Sequence, residues 1–567
     1  MISVSGKNWE EINISKRLID KLMINNGFSH ISSKLILNNN FNEEEIFSIN
    51  NIVEFTNPFI NKKDFRIAID ILYETIIKKE KILIIGDYDV DGCVSTSLLV
   101  NFLNKLKIDN YYYIPNRFTD GYGASIKVLE KLIKKKPKLI IFVDNGSNSR
   151  QEIKFLNEKG IKSIIIDHHE IYEPYPKSEA LINPKKKCDY TNFNYFCSST
   201  LTYFFLDLVI KNKKIDLSLE KYLSLVLLST ISDVMPMRKL NRLIAIKVLK
   251  KMNKYENDLF KKIFESKKIN RPITIEDFGF IIAPIINSAG RIDDPNKIIE
   301  LLTSKIESRK EKIVQLIIEL NEKRKILEQQ SLKKINFSKI YQDKSPIIII
   351  NDNTINEGII GIIAARMMNY FDKPCIVLTK SKDFLKASAR STAKFNIGLY
   401  IKKALDMNII LNGGGHNLAA GFSIKENKIS KLKEYLSKQF SRIPIVNNNK
   451  YLSKISLNTL NKKILDNFKS IGPFGPGNNN PFFLIENIRI IKPTLIKNKY
   501  ISCIVKSKQG KSISAISFNP LETDISKNLF YNKGTLNLIV QLKENFWNNK
   551  KNLQLVIIDL IVNPINT

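Results

Sequence analysis

Three short apolar runs, each ending in acid, constrain the fold of this chain more than any other feature. Residues 82–85 read ILII and open into GDYDVDG; residues 139–143 read LIIFV and end in Asp144-Asn145-Gly146; residues 164–166 read III and end in Asp167, His168, His169 and Glu170. β-Branched runs of this length, bounded by turn residues, predict buried strands. Helical patterns lie beside them: Phe65, Ala68, Ile69, Leu72 and Ile76 stand at helical spacing before the first strand, and residues 95–102 predict a helix after its acidic loop. Strands alternating with helices imply an α/β fold with a doubly wound parallel sheet, where ligands collect beyond the carboxyl ends of the strands. The acids should therefore converge on one rim. A further unit, residues 111–114 followed by PNRFTDGYG, sets Arg117 among loop glycines, a combination able to hold phosphate.

Asp87, Asp89 and Asp91 share one short loop, and carboxylates so close repel strongly unless a cation neutralises them. The loop lacks the Glu at the twelfth position and the helix pair that an EF-hand requires, which disfavours calcium. Of only four histidines in the chain, His168, His169 and His416 fall inside acid- or glycine-rich motifs. Imidazole together with carboxylate suits first-row divalent metals such as Mn. The apolar run 223–231 leads to Ser232-Asp233-Val234 and supplies one more acid. Singly, each acid would serve as a helix N-cap; as a set, they point to a metal centre.

At 567 residues the chain exceeds a single core, and length implies about three or four domains. Five cysteines (Cys93, Cys188, Cys197, Cys375 and Cys503) are scattered without CxxC spacing, which argues against a zinc site or a disulfide framework and for a reducing compartment. The N-terminus lacks a signal-peptide core and no stretch approaches the ~18 apolar residues of a membrane span, so the expectation is a cytoplasmic protein with no membrane partner. A formal charge of +33 suits a polyanionic partner, although solvated lysine faces account for much of the excess. Arginine is sparse, so Arg117, Arg291 and Arg390, placed inside motifs, say more: the planar fork matches phosphate.

Elsewhere, residues 1–56 read as irregular and carry no assigned function. Ile306, Ile313, Ile317, Leu320 and Leu327 predict one long amphipathic helix. A second α/β lobe follows, with strands at 346–350 and 375–378 and a helix at 358–368. The run Gly413 to Gly415 before His416 reads as a flexible turn without the GK[ST] of a P-loop; its backbone amides, with His416 and Arg390, could grip a nucleic-acid backbone. From about Tyr451 the pattern becomes strands, at 482–491, 500–506, 512–518, 536–542 and 553–562, with a hairpin turn at Gln509-Gly510. Such a set fits an OB-like β-barrel, a fold common in single-strand binding. Phe474, Phe546 and Trp547 are candidates for stacking on bases, with core or surface packing the commoner role for isolated aromatics.

Taken in order, GDYDVDG, VDNG, IDHHE and ISDVMPM resemble the four motifs of the DHH phosphoesterase superfamily, and more closely those of its RecJ family of single-strand-specific 5′ to 3′ exonucleases. PNRFTDGYG, INSAGRIDD, SARS, GGGHNLAAGF and GPFGPGN resemble further RecJ segments in the expected order, so the resemblance spans nearly the whole chain. It implies an N-terminal segment (1–56), a DHH domain (57–300), a linking helix (301–340), a DHHA1 domain (341–445) and an OB-like domain (446–567). It also implies hydrolysis of single-stranded DNA to 5′-mononucleotides, in repair and recombination, with two Mn2+ or Mg2+ ions as cofactors. Asp87, Asp89, Asp91, Asp144, His168 and Asp233 would be the ligands, Asp144 the bridge, and His169 would contact the scissile phosphate beside the catalytic Asp144, His168 and Asp233. Asp167 would orient a neighbour rather than bind metal. Arg117, Arg291, Ser388 and Arg390 would hold the 5′ phosphate or adjacent backbone, and Gly414, Gly415 and His416 the nucleic acid. Beyond DNA, the resemblance suggests single-strand binding protein and a RecQ-type helicase as partners. The sequence departs from the family where Trp-His usually precedes the glycine of the second-lobe helix: here Ile355, Asn356 and Glu357 precede Gly358. The rival readings are another DHH activity (a nanoRNase, a cyclic-dinucleotide phosphodiesterase or a manganese pyrophosphatase) and a catalytically silent DNA-binding scaffold.

Overall fold

The computed structural model describes residues 1–116, 123–251, 258–442, 448–547 and 550–562. The N-terminal segment, expected to be irregular, is built from short elements: strand β1 (Asn8–Glu11) and helices Lys16–Asn26, His30–Asn38 and Glu43–Asn50. Helices this short are marginal alone and depend on tertiary packing, so their sequence signal is weak. Here the packing comes from the far end of the chain. Leu35, Ile36 and Phe41 enter the core of the C-terminal barrel, and the Trp9 indole N–H donates to Asp559 at 2.9 Å.

The central sheet comprises β2 (Ile82–Ile85), β3 (Asn110–Tyr113), β4 (Leu139–Val143), β5 (Lys162–Ile166) and β6 (Ala180–Ile182), all parallel in the order β3-β2-β4-β5-β6. Alternate side chains serve two cores. Ile82, Ile84, Leu139, Ile141, Ile164 and Ile166 face helices Lys63–Ile77, Val90–Lys105, Ser198–Asn212 and Leu223–Ser232. Leu83, Ile85, Ile140, Phe142 and Ile165 face helices Ile126–Leu132 and Arg150–Glu158. Burial on both faces is why these strands read as unbroken apolar runs. The chain leaves β2 for β3 on one side and returns to β4 on the other, so the switch point lies between β2 and β4, where ligands bind in sheets of this order.

Helix Glu307–Lys334 links the lobes. Its first half buries Ile313, Val314, Ile317 and Ile318 in the first-lobe core, and its second half sets Leu327 and Leu332 against the second. That lobe is a sheet of β7 (Ile348–Asn351), β8 (Cys375–Ser381), β9 (Phe384–Arg390), β10 (Asn412–His416) and β11 (Ala419–Ile424), in the order β10-β11-β9-β8-β7. The glycine run expected as a flexible turn is instead strand β10 at the exposed edge, paired antiparallel with β11. Ladder hydrogen bonds to β11 override the weak strand propensity of glycine. After β12 (Asn448–Tyr451), which pairs with β1, and β13 (Ser453–Lys454), the chain forms β14 (Phe483–Ile496), β15 (Tyr500–Ser507), β16 (Ser512–Ser517), β17 (Leu536–Trp547) and β18 (Lys550–Val562). These five close as β14-β15-β16-β18-β17 with β17 returning to β14, an OB-like barrel. Gly510, at φ 95°, makes its expected hairpin turn.

Arg242, 1% exposed, sits where the N-terminal segment, first lobe and barrel meet. It donates to the Ile471 carbonyl at 3.1 Å, the Ser470 carbonyl at 2.8 Å and the Ser48 hydroxyl at 2.8 Å. Arg242→Ala strands these acceptors, each buried loss costing about 1–3 kcal/mol. Urea unfolding followed by the buried Trp9 should show a stability loss of at least about 2 kcal/mol.

Candidate metal centre

Strand β2 delivers its acids straight into helix Val90–Lys105. Asp89 caps that helix by accepting the Gly92 N–H at 3.1 Å, and Asp87 accepts the Tyr88 N–H at 2.8 Å. Both oxygens of Asp91 are held by the first amides of helix Ser198–Asn212, at 2.7 Å from Ser198 and 2.9 Å from Ser199. A helix N-terminus favours that negative charge. Gly92 is required by close approach, since a Cβ there would lie 2.5–2.6 Å from backbone atoms of Asp87.

β4 ends in Asp144, whose backbone is left-handed at φ 62° and whose Oδ1 accepts the Ser198 hydroxyl at 3.0 Å. β5 ends in Asp167, which accepts the amides of His168 (2.8 Å), His169 (3.2 Å) and Ser147 (3.1 Å) and meets His169 Nδ1 at 2.8 Å. Its oxygens are thus spent on shaping the turn and orienting His169. The run 223–231 is a helix buried almost all round, Leu223–Ser232, and it brings Asp233 to the same rim. His168 Nε2 stands 3.0 Å from Asp233 Oδ2, 3.4 Å from Asp144 Oδ1 and 3.9 Å from Asp91 Oδ2. Three overlapping ligand sets result, each with donor atoms within 4.8 Å of one another: Asp87, Asp89 and Asp144; Asp91, His168 and Asp233; Asp144, His168 and His169.

Burial, then the charges of Asp91, Asp89, Asp233 and Asp87, pushes the Asp144 carboxyl well above its usual range. Burial and the neighbouring Asp233 and Asp91 likewise raise Asp89. Asp167 goes the other way: against burial, His169 and His168 hold it below the usual carboxylate range. Burial opposes protonation of His169, yet Asp167 pushes it up to about 9. Stacked carboxylates with an imidazole among them suit divalent cations. A further sign of fit is His168 Nδ1, buried and without a hydrogen-bond partner among the described residues.

The second lobe faces this rim. His416 on β10 is lowered by burial, then by Arg390 and Lys185, while Asp233 and Glu170 of the first lobe act in the opposite direction. Gly414 and Gly415 precede it on the exposed edge strand. Nearby, the Lys402 ammonium lies 3.8 Å over the Tyr172 ring, joining the lobes. Arg291, Ser388 and Arg390 gather around the start of helix Ile360–Phe371. Arg291 donates to the Gly358 carbonyl at 3.3 Å, and a Cβ on Gly361 would meet Ser388 Oγ at 3.0 Å and the Arg390 guanidinium at 3.2 Å. Arg117 lies outside the described residues. Where the family carries Trp-His, Asn356 accepts the Gly358 N–H at 2.8 Å and Glu357 pairs with Lys386 at 2.5 Å.

Sequence reasoning missed the residues that hold these acids. Ser198 and Ser199 grip Asp91 and Asp144, and Asn287 ties the Val90 amide (3.1 Å) to the Ser232 hydroxyl (3.2 Å). The run Cys197-Ser198-Ser199-Thr200 before an apolar stretch was a legible helix start; Asn287 lies inside the INSAGRIDD motif, but nothing local ties it to the first acidic loop. Of the aromatics, Phe474 packs against the barrel core, Phe546 is half-buried, and the Trp547 side chain lies outside the described residues.

Parallel-sheet topology, a switch-point acid cluster and an apposed glycine-rich edge strand define a DHH phosphoesterase. The DHH family N-terminal domain matches residues 81–230, the DHHA1 domain residues 344–442 and the RecJ OB domain residues 453–559. The single-stranded-DNA-specific exonuclease RecJ of Haemophilus influenzae is 29% identical over 524 residues, covering 86% of this chain and 89% of that one. The Bacillus subtilis RecJ is 26% identical over 564 residues, covering 98% and 69%. Among solved structures, RecJ of Thermus thermophilus in complex with Mn2+ superposes with a TM-score of 0.82 at 21% identity, over 98% of this chain and 80% of that one. An exonuclease RecJ bound to manganese superposes with a TM-score of 0.57 at 25% identity, over 68% and 96%. The chain belongs to the RecJ family.

Gly92→Ala must displace Asp87, since the added methyl meets backbone rather than a movable side chain. Titration calorimetry should show Mn2+ affinity falling about tenfold or more, the scale for disturbing groups that orient ligands.

Proposed function

We propose that this chain is a metal-dependent exonuclease that degrades single-stranded DNA from its 5′ end, releasing 5′-mononucleotides by two-metal hydrolysis, in DNA repair and recombination. The observation that carries the reading is the convergence of Asp87, Asp89, Asp91, Asp144, His168 and Asp233 at the switch point opposite the second lobe. These residues would hold two Mn2+ or Mg2+ ions, with Asp144 shared, since it stands with Asp87 and Asp89 in one set and 3.4 Å from His168, a member of another. When bound, such a pair supplies an activated water and charge stabilisation for the leaving oxygen.

The side chains supply the rest. His169, kept protonated by Asp167, is placed to donate to a phosphate oxygen at the rim. The Ser198 and Ser199 amides orient Asp91, and the Ser198 hydroxyl orients Asp144. Arg291, Ser388 and Arg390 offer a guanidinium pair and a hydroxyl for a terminal phosphate, which would set the polarity of degradation. Arg117 would join them. Gly414, Gly415 and His416 would lie along the adjoining backbone, with Gly414 open to close approach and Gly415 admitting the β11 backbone against the strand. The barrel suits the incoming single strand and favours this reading over a small-substrate DHH phosphodiesterase. The intact ligand set weighs against a silent scaffold. Single-strand binding protein and a RecQ-type helicase are the partners that the family likeness suggests.

An internally labelled, 5′-phosphorylated oligonucleotide, single-stranded or as a blunt duplex, tests this with Mn2+. Mononucleotides should come from the single strand alone, starting at the 5′ end, and Asp144→Ala should abolish them. Arg390→Ala should raise KM for the phosphorylated strand more than for its 5′-hydroxyl counterpart. DNA bound but never shortened would favour the scaffold, and cleavage confined to short RNAs or cyclic dinucleotides would favour the small-substrate rival.

A further inference from the structure

Asp233 stands on a strained turn. The next residue, Val234, is left-handed at φ 56° and 66% exposed, a conformation that a β-branched side chain disfavours. Strain of this kind persists only where the surroundings over-determine the backbone. Helix Leu223–Ser232 holds one side of the turn, through Asp233 N–H to Ser229 at 2.9 Å and Met235 N–H to Thr230 at 2.9 Å. The other side is held from outside the first lobe. The Met237 N–H donates to the Pro476 carbonyl of the barrel motif GPFGPGN at 2.7 Å, and a Cβ on Gly475 would stand 3.1 Å from that of Met237.

Arg238 completes the grip. Its guanidinium makes a two-pronged pair with Glu45, at 2.7 and 2.6 Å, and donates to the carbonyls of Asn39 (2.7 Å), Asn40 (2.7 Å) and Gly477 (3.2 Å). Glu45, 4% exposed, also accepts the Lys239 N–H at 2.8 Å. The barrel loop is rigid in turn: the fully buried Asn478 donates to the Ile471 and Pro473 carbonyls at 3.1 and 3.0 Å and accepts from Asn39 at 2.9 Å. The segment just downstream of Val234 is thus fixed by groups from the two ends of the chain.

We propose that the N-terminal segment and the barrel loop 472–478 act as a remote brace for the metal centre, with Glu45 and Arg238 as positioning residues that set Asp233 against His168. This rests on Asp233 being a metal ligand. A buried, doubly bonded ion pair is strongly directional, and a small rotation of Val234 would carry the Asp233 carboxylate away from His168 Nε2.

The test is Mn2+ binding to the full chain, by titration calorimetry and by the Mn2+ electron paramagnetic resonance signal, well below every variant's Tm. Glu45→Gln should weaken Mn2+ binding about tenfold or more. Gly475→Ala, which presses on Met237 while sparing the ion pair, should do the same and stands in if Glu45→Gln fails to fold. Val505→Ala, a barrel-core change on strand β15 that takes no part in the ion pair or in the hydrogen bonds of loop 472–478, should lower Tm and leave Mn2+ affinity unchanged. Wild-type affinity in both Glu45→Gln and Gly475→Ala, with Asp233→Asn weakened, would overturn the brace alone. Wild-type affinity in Asp233→Asn would instead overturn the ligand assignment beneath it.

Discussion

Mutual repulsion of carboxylates is the constraint on which this molecule is built. Asp87, Asp89 and Asp144 are brought within a few ångströms of one another, and Asp91 and Asp233 likewise around His168, on a largely buried rim, where charge is costly unless neutralised. Divalent cations relieve the cost when bound. The protein relieves part of it with oriented dipoles: the amides of helix Ser198–Asn212 on Asp91, the cap of helix Val90–Lys105 on Asp89 and the Ser198 hydroxyl on Asp144. Asp167 is treated differently. With three amides and an imidazole around it, it is satisfied without any ion, and so serves His169.

That rim needs a rigid support, and the sheet provides it. Strands β2, β4 and β5 are covered on both faces, so their ends move little, and the acids inherit that stiffness. Asp233 lacks such backing because it ends a helix rather than a strand. The structure compensates by reaching across the chain, joining the N-terminal helices and the barrel loop behind Met237 and Arg238. The barrel is therefore coupled to the chemistry and does more than accompany it. The second lobe, carried on helix Glu307–Lys334, closes over the opposite side with an edge strand of glycines.

Much of this was legible in the residues. β-Branched runs ending in acid announced the parallel sheet, and burial on both faces kept the signal clean. The clustering of these acids with the imidazoles was legible too, since acids at successive ends of a parallel sheet are brought to one rim. What hid was whatever depends on partners distant in sequence. The helices before residue 51 each lack enough apolar surface to declare themselves, and become stable by joining a barrel more than 400 residues away. Gly413 to Gly415 read as a loop because nothing local favours a strand, and pairing with β11 decides otherwise.

Sequence alone therefore determined the sheet and the acids at its rim, because local patterning and short-range charge repulsion are properties of contiguous residues. Tertiary structure alone decided which groups hold those acids in place: Ser198, Asn287, Glu45, Arg238 and the loop 472–478. Their roles arise from contacts closed by the fold between segments that carry no trace of one another in their composition.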